Sequence, residues 1–220
     1  MSKGLETVCR DIRACRICRD EPIKHRLAHE PRPVFRVSPT ASIGIFSQAP
    51  GARVHASGVP FSDPSGVRLR QWMGVTDEEF YDGRRVAVVP MGFCFPGYDA
   101  KGADRPPRCE CAPVWRERLL AELPALKLIL LVGGYSQRWH LADEYGENLS
   151  ATVANWRAVT RSENRQDGQD SLRFWPLPHP SWRNNAWLRK NPWFAQELLP
   201  ELRADVRAAL DSRPALLRTG

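Results

Sequence analysis

Two short segments of the chain combine residue types that could do chemistry on a bound ligand. The first holds an amide, an aromatic ring and a carboxylate, at Gln48, Phe61 and Asp63. The second is the run HPSWRN, which opens with His179. An imidazole can donate or accept a proton near neutral pH, a carboxylate can accept one, and an aromatic ring can stack on a flat group. Together these side chains could grip a planar ligand and polarise one of its bonds.

Each segment follows a short apolar run that is typical of a buried β-strand. The runs are rich in β-forming residues and are bounded by proline, glycine or charged turns. There are four of them, at Ser42–Ser47, Val86–Met91, Leu126–Val132 and Leu172–Leu177. Helical patterns lie between them, at Gly66–Met73, Val114–Leu123 and Ser136–Leu141.

Strands that alternate with helices predict an α/β fold, here a three-layer α/β/α sandwich with a central, mainly parallel four-stranded sheet. Ligands of open parallel sheets bind beyond the carboxyl ends of the strands. We therefore expect both segments at the same edge of the sheet.

The C-terminal part predicts one further helical region, which begins at Asn191. The Asn191 side chain could cap it, Pro192 suits the first helical position, and Pro200 should kink or split it. Apolar residues that should face the core recur every four positions, at Phe194, Leu198, Leu202, Val206 and Leu210. Residues 160–171 are predicted to form an exposed loop, and residues 213–220 a frayed tail.

Composition favours one domain over residues 1–220, with an N-terminal arm over residues 1–35. The formal charge of +7 favours DNA or RNA as a partner, although a basic solvated surface explains the charge equally well. No apolar run approaches the ~20 residues that cross a membrane. The first residues lack the apolar core of a signal peptide, so we expect a cytoplasmic monomer without a membrane partner.

The two segments resemble the motifs of the uracil-DNA glycosylase superfamily. The pattern x-Q-A-P-G followed by G-x-P-F is similar to the first motif, closest to the iron–sulfur class with its G-E-A-P-G and G-x-P-F. The run H-P-S-x-R-N is similar to the second motif, closest to the single-strand-selective class. The likeness in order and spacing extends from about Cys15 to Phe194. It implies a monofunctional DNA glycosylase that flips out a deaminated base, with uracil as the first candidate, and leaves an abasic site.

The resemblance also implies roles for individual residues. Phe61 would stack on the flipped base, with core packing as its alternative role, and His179 would stabilise the oxygen of the departing base by donating one N–H. The backbone of the first motif would bind the base edge; its residues are Gln48, Ala49, Pro50 and Gly51.

The group that activates water is less clearly indicated. Several classes carry Asp, Glu or Asn where this chain has Gln48 and Ala49, and a glutamine can orient a water but cannot act as a general base. Asp63, in F-S-D-P-S-G, resembles the F-T-G-D-x-S-G of the class without a polar residue in its first motif. We favour Asp63 for polarising water or stabilising the sugar cation; an Asx turn before Pro64 is the alternative.

Residues that follow the histidine stand where family members insert a loop into the duplex. Trp182 and Arg183 could form a wedge in the gap left by the flipped nucleotide, and Ser181 could bind a phosphate. The alternative for Trp182 is packing beneath the loop. The predicted DNA-binding set is Ser181, Trp182, Arg183 and Asn184.

The cysteines suggest a cofactor. Cys15 and Cys18 form a CxxC, whose spacing lets two thiolates reach one metal. Cys94 and Cys111 fall where the iron–sulfur class has its third and fourth ligands, which implies a structural [4Fe–4S] cluster. Zn²⁺ and reduced, unliganded thiols are the alternatives, and Cys109 is a nearby competitor for the fourth position.

Two other functions are compatible with parts of the sequence, and a third is not. The missing carboxylate in the first motif allows a damaged- or abasic-DNA-binding protein with little turnover. Pro90 stands where the iron–sulfur class places a uracil-binding Asn, so hypoxanthine and xanthine remain candidate bases. A small-molecule hydrolase lacks support, because the sequence contains no G-x-S-x-G turn.

Overall fold

Four parallel strands form the central sheet of the protein, whose computed structural model describes residues 2–161 and 172–212. The strands are β1 (Ile43–Phe46), β2 (Val86–Val88), β3 (Leu128–Val132) and β4 (Arg173–Leu177), and their order across the sheet is β2-β1-β3-β4. Ile43 pairs with both Val86 and Leu128, and Leu128 pairs with Arg173. The four predicted strands are confirmed, and the described sheet is wholly parallel.

Helices surround this sheet. In the described residues the α-helices are α1 (Lys3–Arg13), α2 (Ile17–Asp20), α3 (Ala52–Ser57), α4 (Pro64–Met73), α5 (Asp77–Tyr81), α6 (Cys111–Leu120), α7 (Gly134–Leu141), α8 (Leu149–Ala154), α9 (Trp156–Arg161), α10 (Asn185–Lys190) and α11 (Leu199–Asp211). Short 3-10 segments occur at Ala142–Glu144 and Trp182–Asn184, and a π-helical turn at Phe194–Leu198. None of the described helices is both long enough and apolar enough to cross a membrane.

The sheet separates two apolar cores. Successive side chains of a strand point to opposite faces, and all five residues of β3 are buried. Leu128, Leu130 and Val132 join one core with α4 and α11, whereas Ile129 and Leu131 join the other with α1 and α6. Helices on both faces of a parallel sheet make the α/β/α sandwich that the sequence predicts.

The N-terminal arm contributes a helix to the second core. Ser2 caps α1 by accepting a hydrogen bond from the backbone N–H of Leu5 at 3.1 Å. Leu5, Val8 and Ile12 then recur on one face of α1 and are buried against α6. This packing holds the beginning of the CxxC segment against the body of the domain.

The C-terminal helical region differs from its prediction at its start. Asn191 does not cap it through the side chain: its amide oxygen accepts a hydrogen bond from Trp193 Nε1 at 3.1 Å, and its amide nitrogen donates to the carbonyl of Trp187 at 2.8 Å. The region divides into a π-helical turn and α11, with Pro200 in the first turn of α11. The core-facing positions are all buried, at Phe194, Leu198, Leu202, Val206 and Leu210. Most of the predicted loop, residues 162–171, and the predicted tail lie outside the described residues.

Two basic side chains lie in the second core. Arg116 is 2% exposed; its guanidinium donates to the carbonyl of Val89 at 3.2 Å and lies 4.9 Å from the centre of the Phe46 ring. Burial lowers the pKa of Arg116 to about 9. Burial, reinforced by the charge of Arg116, lowers the pKa of His140 to about 3, and His140 Nε2 is buried without a hydrogen-bond partner. His140 is therefore neutral in the folded protein at neutral pH.

This neutral histidine predicts a loss of stability as the pH falls from about 6.5 to about 3. In that window the unfolded chain binds a proton at His140 and the folded protein does not, so acid favours unfolding. His140→Gln removes this proton uptake and should flatten the dependence of the unfolding free energy on pH, measured by urea denaturation. His25→Gln changes an exposed histidine whose pKa is lowered much less than that of His140, so it should flatten the dependence only slightly. An unaltered slope in His140→Gln would contradict the expectation.

Candidate active site

One cleft at the carboxyl edge of the sheet contains both motif segments. It has a volume of about 680 Å³ and opens where β1 and β4 end. The first segment lines it with Gln48, Ala49, Pro50, Gly51, Phe61 and Asp63, and the second with His179, Ser181, Trp182, Arg183 and Asn184. The structure thus brings all the non-cysteine residues singled out from the sequence to one place.

Phe61 is held in an unusual backbone conformation. Its φ of 56° lies in the left-handed region, which a bulky residue adopts only when its surroundings enforce it. Its carbonyl accepts hydrogen bonds from Tyr81 Oη at 3.1 Å and from the Arg70 guanidinium at 3.4 Å. Its ring is 8% exposed and meets Phe80 edge-to-face at 6.1 Å between centres. These contacts fix the ring at the wall of the cleft.

Gly66 is required by the same arrangement. A Cβ atom at this position would lie 1.8 Å from the carbonyl oxygen of Phe61, so no larger residue fits without movement of the backbone. The close approach lets α4 begin directly behind the Phe61 turn. The sequence motif around Phe61 therefore includes Gly66 for a steric reason.

Asp63 has the structural role that the sequence left open as an alternative. It is the N-cap of α4, and its Oδ1 accepts a hydrogen bond from the backbone N–H of Gly66 at 3.2 Å. Pro64 follows at the first helical position. Asp63 also lines the cleft, so one carboxylate can serve the helix and still carry its charge into the site.

His179 follows β4 and faces the same space. Burial lowers its pKa; the charge of Asp63 opposes that shift and the charge of Arg183 adds to it. The imidazole is therefore neutral at neutral pH and keeps one N–H to donate.

The residues after His179 differ in what they can do. Trp182 is 71% exposed, and the Arg183 guanidinium lies 5.6 Å from the centre of its ring. The amide of Asn184 instead donates to the carbonyl of His179 at 2.7 Å, which closes the turn. The carbonyl of Ser181 accepts a hydrogen bond from Arg68 at 3.0 Å. Trp182 is thus a solvent-facing aromatic at the cleft rim, whereas Asn184 is occupied within its own loop.

Gln48 is anchored on both its main chain and its side chain. Its carbonyl accepts a hydrogen bond from Gly92 N at 2.9 Å. A Cβ atom at Gly133 would lie 2.4 Å from Gln48 Nε2, so the amide is seated against the turn after β3. Pro90, which has no N–H, lines the cleft nearby.

Sequence reasoning missed several residues that also line the cleft. Among them, Asp104 comes from the irregular segment between β2 and α6, and Tyr135 comes from the start of α7. No local pattern marks Asp104, because irregular segments have no periodicity. The cations at the cleft are Arg53, Arg68, Arg105 and Arg183, a set that suits a polyanionic ligand.

Comparison with known families identifies the fold. The family model described as the uracil DNA glycosylase superfamily matches residues 35–203, which include all four strands and both motif segments. The chain belongs to the uracil DNA glycosylase superfamily. Membership implies a DNA glycosylase, a hydrolase that acts in DNA repair with DNA as its partner.

The four cysteines of the suggested cofactor set line a second, smaller cavity of the glycosylase. Cys15, Cys18, Cys94 and Cys111 surround it, and its wall is mainly apolar. Burial raises the pKa of Cys94 and of Cys111 to about 12. Cys109 is exposed and does not line this cavity, although its thiol approaches Glu110 at 3.5 Å.

The described residues do not form a ready-made metal site. No group of three or more His, Cys, Asp or Glu side chains within residues 2–161 and 172–212 is arranged to hold a metal ion.

The steric role of Gly66 yields a prediction. Gly66→Ala should push the Phe61 carbonyl away, lower the unfolding free energy by about 1–3 kcal/mol and weaken DNA glycosylase activity. Gly134→Ala is a matched control, since the nearest atom to its new Cβ is 3.6 Å away. Thermal unfolding and base-release assays measure the two effects. Full stability and activity in Gly66→Ala would show that this close approach does not hold Phe61.

Proposed function

We propose that this glycosylase is monofunctional and releases a deaminated base, with uracil first, leaving an abasic site in DNA. The observation that supports it is the meeting of Phe61 and His179 in one cleft, from loops after β1 and β4. A base inside a duplex must leave the stack before a side chain can reach its glycosidic bond. The cleft offers a ring for the extruded base to stack on and a donor for its oxygen.

The proposed chemistry follows from the charges that bond breaking creates. The departing base gains negative charge and the sugar gains positive charge. The neutral imidazole of His179 donates its N–H to the base oxygen, and the carboxylate of Asp63 lies on the same cleft as a counter-charge for the sugar. Neither motif segment contains a lysine, so a Schiff-base step has no obvious nucleophile.

The rim of the cleft suits contacts to the DNA strand. We assign the wedge to Trp182, because a large exposed ring can occupy the gap left by an extruded nucleotide. Arg183 and Ser181 would then contact phosphates beside it. Asn184 shapes this loop through its bond to the carbonyl of His179.

A binding protein with little turnover is the second candidate function. It is favoured by the first motif, where Gln48 and Ala49 supply no carboxylate, and by the use of Asp63 as a helix cap. Among bases, hypoxanthine and xanthine compete with uracil, since Pro90 contributes no hydrogen-bond donor to the cleft.

Base release from oligonucleotides tests these alternatives. Single- and double-stranded substrates with uracil, hypoxanthine or xanthine should reveal the preferred base. His179→Ala should lower the single-turnover rate by about 10²–10³-fold, the usual effect of removing a donor to a developing anion. His25→Ala is the control and should retain the rate. Tight, salt-sensitive binding of abasic DNA without release of any base would favour the binding protein instead.

We also propose that the four cysteines hold a structural [4Fe–4S] cluster. The support is the CxxC, the shared cavity, and a mainly apolar wall that would protect such a cluster from solvent. When bound, the cluster would tie the N-terminal arm to the segment between Cys94 and Cys111. Arg108 lines the same cavity, and its buried Nε has no hydrogen-bond partner, so it is a donor available to a sulfur.

Metal analysis tests the cluster. The purified protein should be brown and contain iron with acid-labile sulfide, and Cys15→Ser should lose both, because three thiolates hold a cubane poorly. Cys109→Ser, whose side chain lies outside the cavity, should keep them. Stoichiometric zinc in a colourless protein would show a zinc site instead of a cluster. The absence of both metals would show that the thiols are reduced and unliganded.

A further inference from the structure

A carboxylate from outside both motifs lies in the cleft. Asp104, in the segment between β2 and α6, lines the same space as Phe61 and His179. A Cβ atom at Gly51 would be 3.5 Å from Asp104 Oδ2, which is ordinary contact distance. The carboxylate therefore lies against the backbone of the first motif, the part of the superfamily site where this chain has no acidic residue of its own.

A small closed loop fixes Asp104 in this position. Tyr98 and Asp104 form an isolated antiparallel bridge. The N–H of Asp99 donates to the carbonyl of Ala103 at 2.8 Å, and Asp99 Oδ1 accepts a hydrogen bond from the N–H of Ala103 at 2.9 Å. Arg105 Nε donates to the carbonyl of Tyr98 at 2.7 Å. With both arms of the loop bonded to each other, the backbone at Asp104 is held in place beside the cleft.

The carboxylate of Asp104 is available to bind a ligand or a water. In the part of the chain that the structure describes, it makes no hydrogen bond and no ion pair. Asp63, in contrast, uses one oxygen to cap α4. Asp104 is an exposed residue of the cleft. Partial desolvation and the charge of Asp63 raise the pKa of its carboxyl, while the charge of Arg183 opposes the rise. A raised pKa makes a carboxylate a stronger base.

We infer that Asp104 is the general base of the hydrolysis and takes a proton from the attacking water. This inference rests on the proposed glycosylase function. The water oxygen bonds to the anomeric carbon as the bond from that carbon to the base nitrogen breaks. The electron pair of the broken bond leaves with the base, whose oxygen accepts the N–H of His179. The proton released by the water moves to Asp104 and then to the departing base or to solvent.

Asp63 and Asp104 then have different roles in the reaction. Asp63, held at the start of α4 and close enough to influence the pKa of His179, supplies fixed negative charge. Asp104 supplies proton transfer. Gln48 remains able to orient a water through its amide oxygen but cannot accept the proton.

Single-turnover base release separates this role from binding. Asp104→Asn should lower the rate by about 10²–10⁴-fold, the range for loss of a general base. Binding of an abasic-site oligonucleotide should be unchanged or tighter, since a negative charge near DNA is removed. Asp143→Asn makes the same change at an exposed aspartate outside the cleft and should keep the rate.

Two readouts exclude a merely structural role. Added formate should restore part of the rate in Asp104→Ala, because a small carboxylate can enter the vacated space and accept the proton. The rise of the rate with pH that reports ionisation of Asp104 should also disappear in Asp104→Asn. A wild-type rate in Asp104→Asn overturns the inference and leaves the glycosylase proposal intact. The inference is also overturned if Asp104→Asn and Asp104→Ala both lose the rate, both have a lower melting temperature, and formate does not restore the rate of Asp104→Ala. No base release from the unchanged protein overturns both proposals.

Discussion

The parallel hydrogen-bond ladder that joins β1, β3 and β4 is the interaction on which the site depends. Because the three strands run in one direction and start at paired residues, the turns after Phe46 and Leu177 leave the same edge of the sheet. The ladder continues beyond the regular strands, where the N–H of Gly92 donates to the carbonyl of Gln48. That bond joins the first motif to the segment after β2. The segments that follow β1, β2 and β4 are therefore all held by the same sheet.

The sequence predicted the parts that repeat or that follow a motif. Buried strands are continuous apolar runs, and the order of strands and helices leaves few possible topologies, so the sheet and the meeting of its two loops could be anticipated. The left-handed conformation of Phe61 could not be anticipated, because it depends on Tyr81 and Arg70, which are distant in sequence. Asn191 was misassigned because the nearby indole of Trp193 takes its amide oxygen. Asp104 lies in an irregular segment without any pattern.

The charged residues of the cleft act on one neutral ring, the imidazole of His179. Asp63 and Arg183 act on His179 in opposite directions, and burial decides the outcome in favour of the uncharged imidazole. The same two residues act on Asp104 in the same directions, since the aspartate raises its pKa and the arginine lowers it. A change at either charged residue therefore alters the donor and the acceptor of the site together.

The cysteine cavity and the cleft share one stretch of chain. Cys94 and Cys111 both line the cavity, and the segment that they bracket carries Asp104. The proposed cluster would join the two ends of this segment and so lower its conformational entropy. Loss of such a cluster by oxidation would remove that closure, and the bracketed segment would gain freedom. Redox damage at the cavity would then reach the reaction as disorder in a loop, without any loss of a side chain from the cleft.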